Sequence, residues 1–139
     1  VGSEAPDFTL RDSKGNSFNL SDFENEKVVV LEFMNMGCGS CHSFEKDVLK
    51  SYCNSTTMPE DVEVISLTQT EDVSQEDLEE RAEGKNWAYV FGSEEMTDAF
   101  GADRSPSIVI IDKDGIVTFS ESGPMTESEL KEKVDEALV

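Results

Sequence analysis

Glu32-Phe33-Met34-Asn35-Met36-Gly37-Cys38-Gly39-Ser40-Cys41-His42 is where an apolar run gives way to two closely spaced cysteines. Ahead of it stands Val28-Val29-Val30-Leu31, a β-branched run that predicts a buried strand. Behind it, Phe44, Val48, Leu49 and Tyr52 fall on one face of a predicted helix. Cys38 and Cys41 therefore sit where a strand ends and a helix begins. A helix N-terminus offers unpaired N–H groups and the positive end of the macrodipole, and both favour a thiolate over a thiol. Cys38, the outer cysteine, is expected to carry the lowered pKa. Cys41, one turn in, is expected to be more buried and to act second. A C-x-x-C pair beside a βαβ pattern is a redox signature.

The chain has 139 residues, enough for a single domain spanning 1–139 with a real core. Hydrophobic residues make up 37% and charged ones 30%, the balance of a globular rather than a disordered chain. Asp and Glu number 31 against 11 Lys and Arg, a net charge of −20. That charge would be repelled by nucleic acid and by anionic membrane surfaces, so neither is a partner. It suits a solvated surface at high salt better than a docking face for a basic protein. No apolar run approaches the ~20 residues that would span a membrane. The chain starts at Val1, so a signal or anchor segment removed before it would leave no trace.

Phe8 and Leu10, then Phe18 and Leu20, alternate with polar residues around the turn Ser13-Lys14-Gly15-Asn16, predicting an N-terminal β-hairpin. Ser21 and Glu24 match a capping box for a short helical turn. Val62, Val64, Ile65 and Leu67 predict a strand parallel to the first, because the intervening helix is a crossover of the right length. The acidic segment Glu71–Glu83 reads as a solvated helix capped by Ser74, with Leu78 and Ala82 as a thin apolar face. Trp87, Tyr89, Val90 and Phe91 return to the core, and Ser93 caps another short helix. Ile108–Ile111 and Ile116–Phe119 form a second hairpin around Asp112-Lys113-Asp114-Gly115. Thr126 with Glu129 caps a final helix striped by Leu130, Val134 and Leu138.

The third cysteine, Cys53, lies about 18 Å from Cys41 along the axis if one helix joins them. It reads as a small, half-buried apolar residue. Cys38 to His42 also matches the C-x-x-C-H motif of haem attachment, but such a site belongs in a mainly helical chain, and this motif opens straight after a strand. Zinc would need Cys38, Cys41, His42 and Cys53 together. Adjacent Cys41 and His42 point apart on a helix, and Cys53 is too distant. No cofactor is expected. A non-catalytic binding domain with a structural bridge is the alternative of a different class, but so small a loop would stabilise little.

The order of elements resembles the thioredoxin superfamily, and more narrowly its TlpA/ResA-type branch, which is related to the alkyl hydroperoxide reductase/thiol-specific antioxidant family. The resemblance rests on Ala5-Pro6-Asp7-Phe8, Leu20-Ser21-Asp22-Phe23, Cys38-Gly39-Ser40-Cys41, Ser105-Pro106-Ser107 and Ile111-Asp112-Lys113-Asp114-Gly115. It implies an α/β fold with a mixed central sheet, helices on both faces and the hairpin as an extension. It also implies a cis bond at Ser105–Pro106, beside the cysteines, where the backbone pairs with a partner chain. The implied activity is thiol–disulfide exchange by a monomer, with protein thiols or disulfides and an upstream redox partner. The implied location is extracytoplasmic, secreted or anchored through a segment not present, with the cytoplasm as the alternative.

Glu32 occupies the position of a buried Asp in thioredoxins. It shares a strand face with Val28, Val30 and Met34, so its pKa is expected to be raised and it can relay a proton for Cys41. Gly37 stands where many relatives carry Trp, which removes an aromatic wall from the docking surface. Gly-Ser replaces the usual Gly-Pro between the cysteines. A peroxiredoxin-like thiol peroxidase, the nearest alternative enzyme, would need Thr where this chain has Asn35.

Overall fold

The computed structural model describes residues 2–56 and 58–139. Its strands are β1 (Thr9–Asp12), β2 (Ser17–Asn19), β3 (Val28–Met34), β4 (Val62–Thr68), β5 (Ala88–Phe91), β6 (Ser107–Ile111) and β7 (Val117–Ser122). They form one seven-stranded mixed sheet in the order β2-β1-β5-β4-β3-β6-β7. The β-branched run puts β3 at the heart of it, with all seven residues buried. β4 runs parallel to β3, with Met34 opposite Thr68, and β6 runs antiparallel, with Phe33 opposite Ser107. The C-terminal ends of β3 and β4 and the start of β6 therefore meet at one end of the sheet. The hairpin β1–β2 is bonded into the same sheet through β5, with Arg11 opposite Phe91.

Helical segments cover both faces: α1 (Gly39–Phe44), a π-helical turn (Glu45–Leu49), α2 (Lys50–Asn54), α3 (Gln75–Ala82), α4 (Glu94–Phe100) and α5 (Glu127–Leu138). One core joins Val28, Val30 and Met34 to Cys41, Phe44, Leu49 and Tyr52, Leu78 of α3, and Leu130 and Val134 of α5. The opposite core joins Val29, Leu31 and Phe33 to Leu20, Val90 and Ala102, with Phe100 of α4 packed against it.

Ser74, Ser93 and Thr126 cap α3, α4 and α5 as expected, each accepting an N–H from the first turn. The early capping box lies two residues upstream of its expected place. Asn19 and Asp22, not Ser21 and Glu24, cap the 3₁₀ turn Leu20–Phe23. Ser21 instead donates its hydroxyl to Asp7 Oδ2 at 2.9 Å, and its N–H to Asp7 Oδ1 at 3.0 Å. Residues 39–54 form one helical run interrupted by the π-turn, in which the Lys50 N–H reaches back to the Glu45 carbonyl. The wider turn brings Phe44, Glu45, Leu49 and Tyr52 inward and leaves Val48 half-buried. α3 also departs from expectation: Ala82 is half-buried, while Arg81 beside it is 5% exposed.

Candidate active site

β3 ends at Met34, and a tight turn carries the chain to the cysteines. Asn35 accepts the Gly37 N–H on its side chain at 2.9 Å and the Cys38 N–H on its carbonyl at 3.0 Å. Cys38 is the N-cap of α1, and Cys38 and Cys41 form a disulfide. The Cys41 N–H points at Cys38 Sγ from 3.1 Å, and Ser40 Oγ lies 3.4 Å from the same sulfur. Amide and hydroxyl donors around Sγ are what a thiolate needs once the bridge is open. Cys38 is half-buried, whereas Cys41 has no exposed surface. Cys53 is a free, half-buried thiol, and burial pushes its pKa up to about 12.

The Ser105–Pro106 bond is cis. Pro106 immediately precedes β6, so its loop shares the sheet end with the turn leading to Cys38. Gln69, one residue past β4, holds this loop. Its Nε2 donates to the carbonyls of Ala102 at 2.8 Å and Arg104 at 2.9 Å, and Ser105 Oγ donates to its Oε1. Nothing in the sequence marked Gln69, since a polar residue after a strand looks like any loop residue.

Glu32 is fully buried on the β3 face that holds Val28, Val30 and Met34, as its alternation predicted. Ser66 Oγ donates to its Oε1 at 2.6 Å, and Trp87 Nε1 donates to Ser66 Oγ at 2.9 Å. No hydrogen-bond partner among the described residues reaches Oε2. Burial, reinforced by the neighbouring Glu45 carboxylate, holds the Glu32 pKa well above the ordinary value.

Glu45 was missed at the sequence level. It lies four residues past Cys41, one helical turn on, and is fully buried. Arg81 grips it with Nε to Oε1 at 2.8 Å and Nη2 to Oε2 at 2.9 Å, and Tyr89 Oη donates to Oε1 at 2.5 Å. Burial pushes Glu45 up, but the hydrogen bonds from Arg81 and Tyr89 and the Arg81 charge outweigh it and hold the pKa below the ordinary carboxylate value. The available signal was a carboxylate beside Phe44, on a stripe otherwise apolar.

The raised Glu32 pKa has a stability consequence. Below the ordinary value of 4.5, folded and unfolded chains both hold the proton. Above it the unfolded chain releases the proton and the folded one does not. Stability should then fall by about 1.4 kcal/mol per pH unit until the folded pKa is passed. Glu32→Gln should remove that slope. Urea unfolding from pH 5 to pH 8 should show the variant gaining on the parent as pH rises. Parallel curves would mean that folding leaves Glu32 as acidic as in the open chain. Glu45, held down, contributes its own pH dependence only below 4.5.

A mixed sheet with a cysteine bridge between strand end and helix start, and a cis-proline loop alongside, defines a thioredoxin-like thiol–disulfide oxidoreductase, which acts on protein thiols and disulfides. The chain belongs to the Redoxin family, whose pattern matches residues 1–138. It is 30% identical over 140 residues to thiol-disulfide oxidoreductase ResA of Geobacillus kaustophilus, covering 97% of this chain and 76% of that one. ResA of Bacillus thuringiensis is 29% identical over 136 residues, covering 95% and 75%. Among solved structures, the thioredoxin domain of thiol-disulfide oxidoreductase BVU-2223 from Bacteroides vulgatus superposes with a TM-score of 0.78 at 26% identity, covering 96% of this chain and 97% of that one. No helix among the described residues is long and apolar enough to cross a membrane.

Proposed function

We propose that residues 1–139 act as one monomeric domain outside the cytoplasm, with Cys38 as the attacking thiol, Cys41 as the resolving thiol and Glu32 as the proton carrier for Cys41. The observation that carries this assignment is the asymmetry of the pair. Cys38 Sγ is half-buried with an N–H and a hydroxyl directed at it, while Cys41 is sealed in the core.

The reduced Cys38 thiolate attacks one sulfur of a partner disulfide. A Cys38–partner bond forms, and the other partner sulfur leaves as a thiolate that takes a proton from water. Cys41 then gives its proton to ionised Glu32 and attacks Cys38 Sγ. The partner leaves reduced, and the protein holds the Cys38–Cys41 bridge with Glu32 protonated. An upstream dithiol reverses these steps: it attacks Cys38, Cys41 departs as a thiolate, and Glu32 returns the proton. A carboxyl with a raised pKa suits this exchange better than an ordinary one, because it holds the proton more tightly and so takes it from a thiol more readily. Ser105 and Pro106 offer backbone to the partner chain, and exposed Gly37 leaves room beside Cys38. The likeness to ResA supports the extracytoplasmic placement.

Alkylation tests the assignment. In the reduced protein, Cys38 should have a pKa below the free-thiol value of about 8.5. With Cys53 near 12, Cys38 should react with iodoacetamide at neutral pH about 1000-fold faster. Mass mapping of the labelled peptides after short exposures reads both rates. Equal rates across pH would remove the activated-thiolate assignment.

A further inference from the structure

Arg81 is a cation inside the protein, its side chain only 3% exposed. It projects from α3, whose other charged residues Glu76, Asp77, Glu79 and Glu80 are all acidic, into the core behind the cysteines. Nε and Nη2 clasp Glu45, and Nη1 lies 3.4 Å from the Met36 carbonyl, in the turn that leads to Cys38. Every oxygen of Glu45 is thereby an acceptor: Oε1 takes Arg81 Nε and Tyr89 Oη, and Oε2 takes Arg81 Nη2. Three donors and a guanidinium charge around one carboxyl favour its ionised form. Glu32 is the reverse case, with one donor on Oε1 and none on Oε2.

Charge balance points the same way. Arg81 and Glu45 together are neutral. An ionised Glu32 would add an uncompensated negative charge in the same dry volume, which is costly. The other charged or titratable groups that face this cluster are few. Tyr89 on β5 donates to Glu45. Lys85, after α3, binds the Arg81 carbonyl at 2.6 Å and lies 5.6 Å from the centre of the Tyr89 ring. Lys85 also feels both carboxylates, Glu45 and Glu32, as well as the Lys50 charge on α2.

We propose that Arg81 is a positioning residue of the dithiol centre: by holding Glu45 ionised, it assigns the single exchangeable proton of the buried carboxyl pair to Glu32, where Cys41 can use it. This rests on the assignment of Glu32 as the proton carrier. Arg81 touches neither sulfur and acts through Glu45. The predicted device is a triad with one proton and one compensating cation, in which the guanidinium decides which carboxyl stays neutral.

The test is the pH profile for reduction of the Cys38–Cys41 bridge by dithiothreitol, followed by Trp87 fluorescence. The ionisation of the reagent is common to all variants and is subtracted. The parent protein should show one further ionisation, that of Glu32. Arg81→Gln should move it up by at least one pH unit, since a positive charge is lost. Glu45→Gln should move it down by at least one unit, since a negative charge beside Glu32 is lost. Arg81→Gln with Glu45→Gln should return it to within half a unit of the parent, because the two losses cancel. A purely structural role for Arg81 would not produce opposite shifts that cancel. Glu45→Gln leaves Glu32 to ionise against the Arg81 cation, and the double variant removes both charges, so these two decide the matter even if Arg81→Gln alone fails to fold. A Glu45→Gln profile that superimposes on the parent would overturn the proposal, since it would mean that Glu45 is already neutral. So would a double variant displaced from the parent by a full unit. Glu32→Gln separates the two levels. If the ionisation survives in that variant, the assignment of Glu32 itself has failed, whatever Arg81 does.

Discussion

Cys41→Ser should leave the protein covalently attached to its partner through Cys38 and stop turnover. Once Cys38 has attacked, the mixed disulfide must be broken by a second thiol in the same site. Cys41 is placed for it, with its N–H 3.1 Å from Cys38 Sγ and its Cα 5.3 Å from that of Cys38. A serine hydroxyl is far too weakly acidic and nucleophilic to replace it. Cys53 cannot take over, because it lies at the far end of the helical run and its pKa is pushed up to about 12. Turnover should fall by roughly 1000-fold or more, as when one member of a cooperating catalytic set is removed. Incubation of the reduced variant with insulin, followed by intact-mass analysis, should show a one-to-one adduct that dithiothreitol releases. Cys38→Ser should form none. Capture by Cys38→Ser and not by Cys41→Ser would reverse the order of the two cysteines.

Gly92→Ala should be the most damaging small substitution in the scaffold. Gly92 lies between β5 and the Ser93 cap of α4, and its N–H donates to Thr68 Oγ1 at 2.9 Å. A Cβ there would fall on the Thr68 carbonyl, with the Thr68 carbonyl carbon 2.9 Å away and its nitrogen at 3.3 Å. Thr68 cannot step aside, because it pairs with Met34 in the middle of the sheet. One methyl group thus forces two backbones apart. The expected loss is about 3 kcal/mol, or roughly 10 °C in Tm for a domain of this size. Gly39→Ala is the control, since nothing lies within 4 Å of the Cβ it would add. Calorimetry should find Gly39→Ala within about 2 °C of the parent. Equal effects at the two positions would mean that the β5–α4 junction yields freely.

The strands were legible because buried sheet positions demand β-branched and aromatic runs: Val28–Leu31 and Ile108–Ile111 supply them without interruption, and Val62–Leu67 with only Glu63 and Ser66 between. The cysteine pair was legible from its spacing, and the burial of Glu32 from the alternation of its strand. The polar interior was not. Arg81 sits in a segment whose other charges are solvated, and nothing local separates a cation that turns inward from one that turns out. Glu45 was hidden by the π-turn: a regular helix through Phe44, Val48, Leu49 and Tyr52 accounts for the apolar residues and leaves no reason to bury a glutamate. The cap at Asn19 was misplaced because Ser21 has a better partner in Asp7, fourteen residues away in sequence. These misses share one cause, a polar group satisfied by a residue distant in the chain.

The pairing of β1 with β5 bears on how the molecule avoids its own kind. Without the hairpin, β5 would end the sheet as an open ladder of N–H and C=O groups, with Val90 and Phe91 beside it, ready to recruit a strand from another copy. The hairpin moves that boundary outward to β2, three residues long, whose Ser17 and Asn19 face water. At the opposite boundary, β7 carries a register irregularity against β6 and exposes Glu121 and Ser122. Both ends of the sheet are thus short or irregular and hydrophilic, poor templates for fibril growth. A protein that meets other chains at its cysteine end gains from borders that do not capture strands of their own.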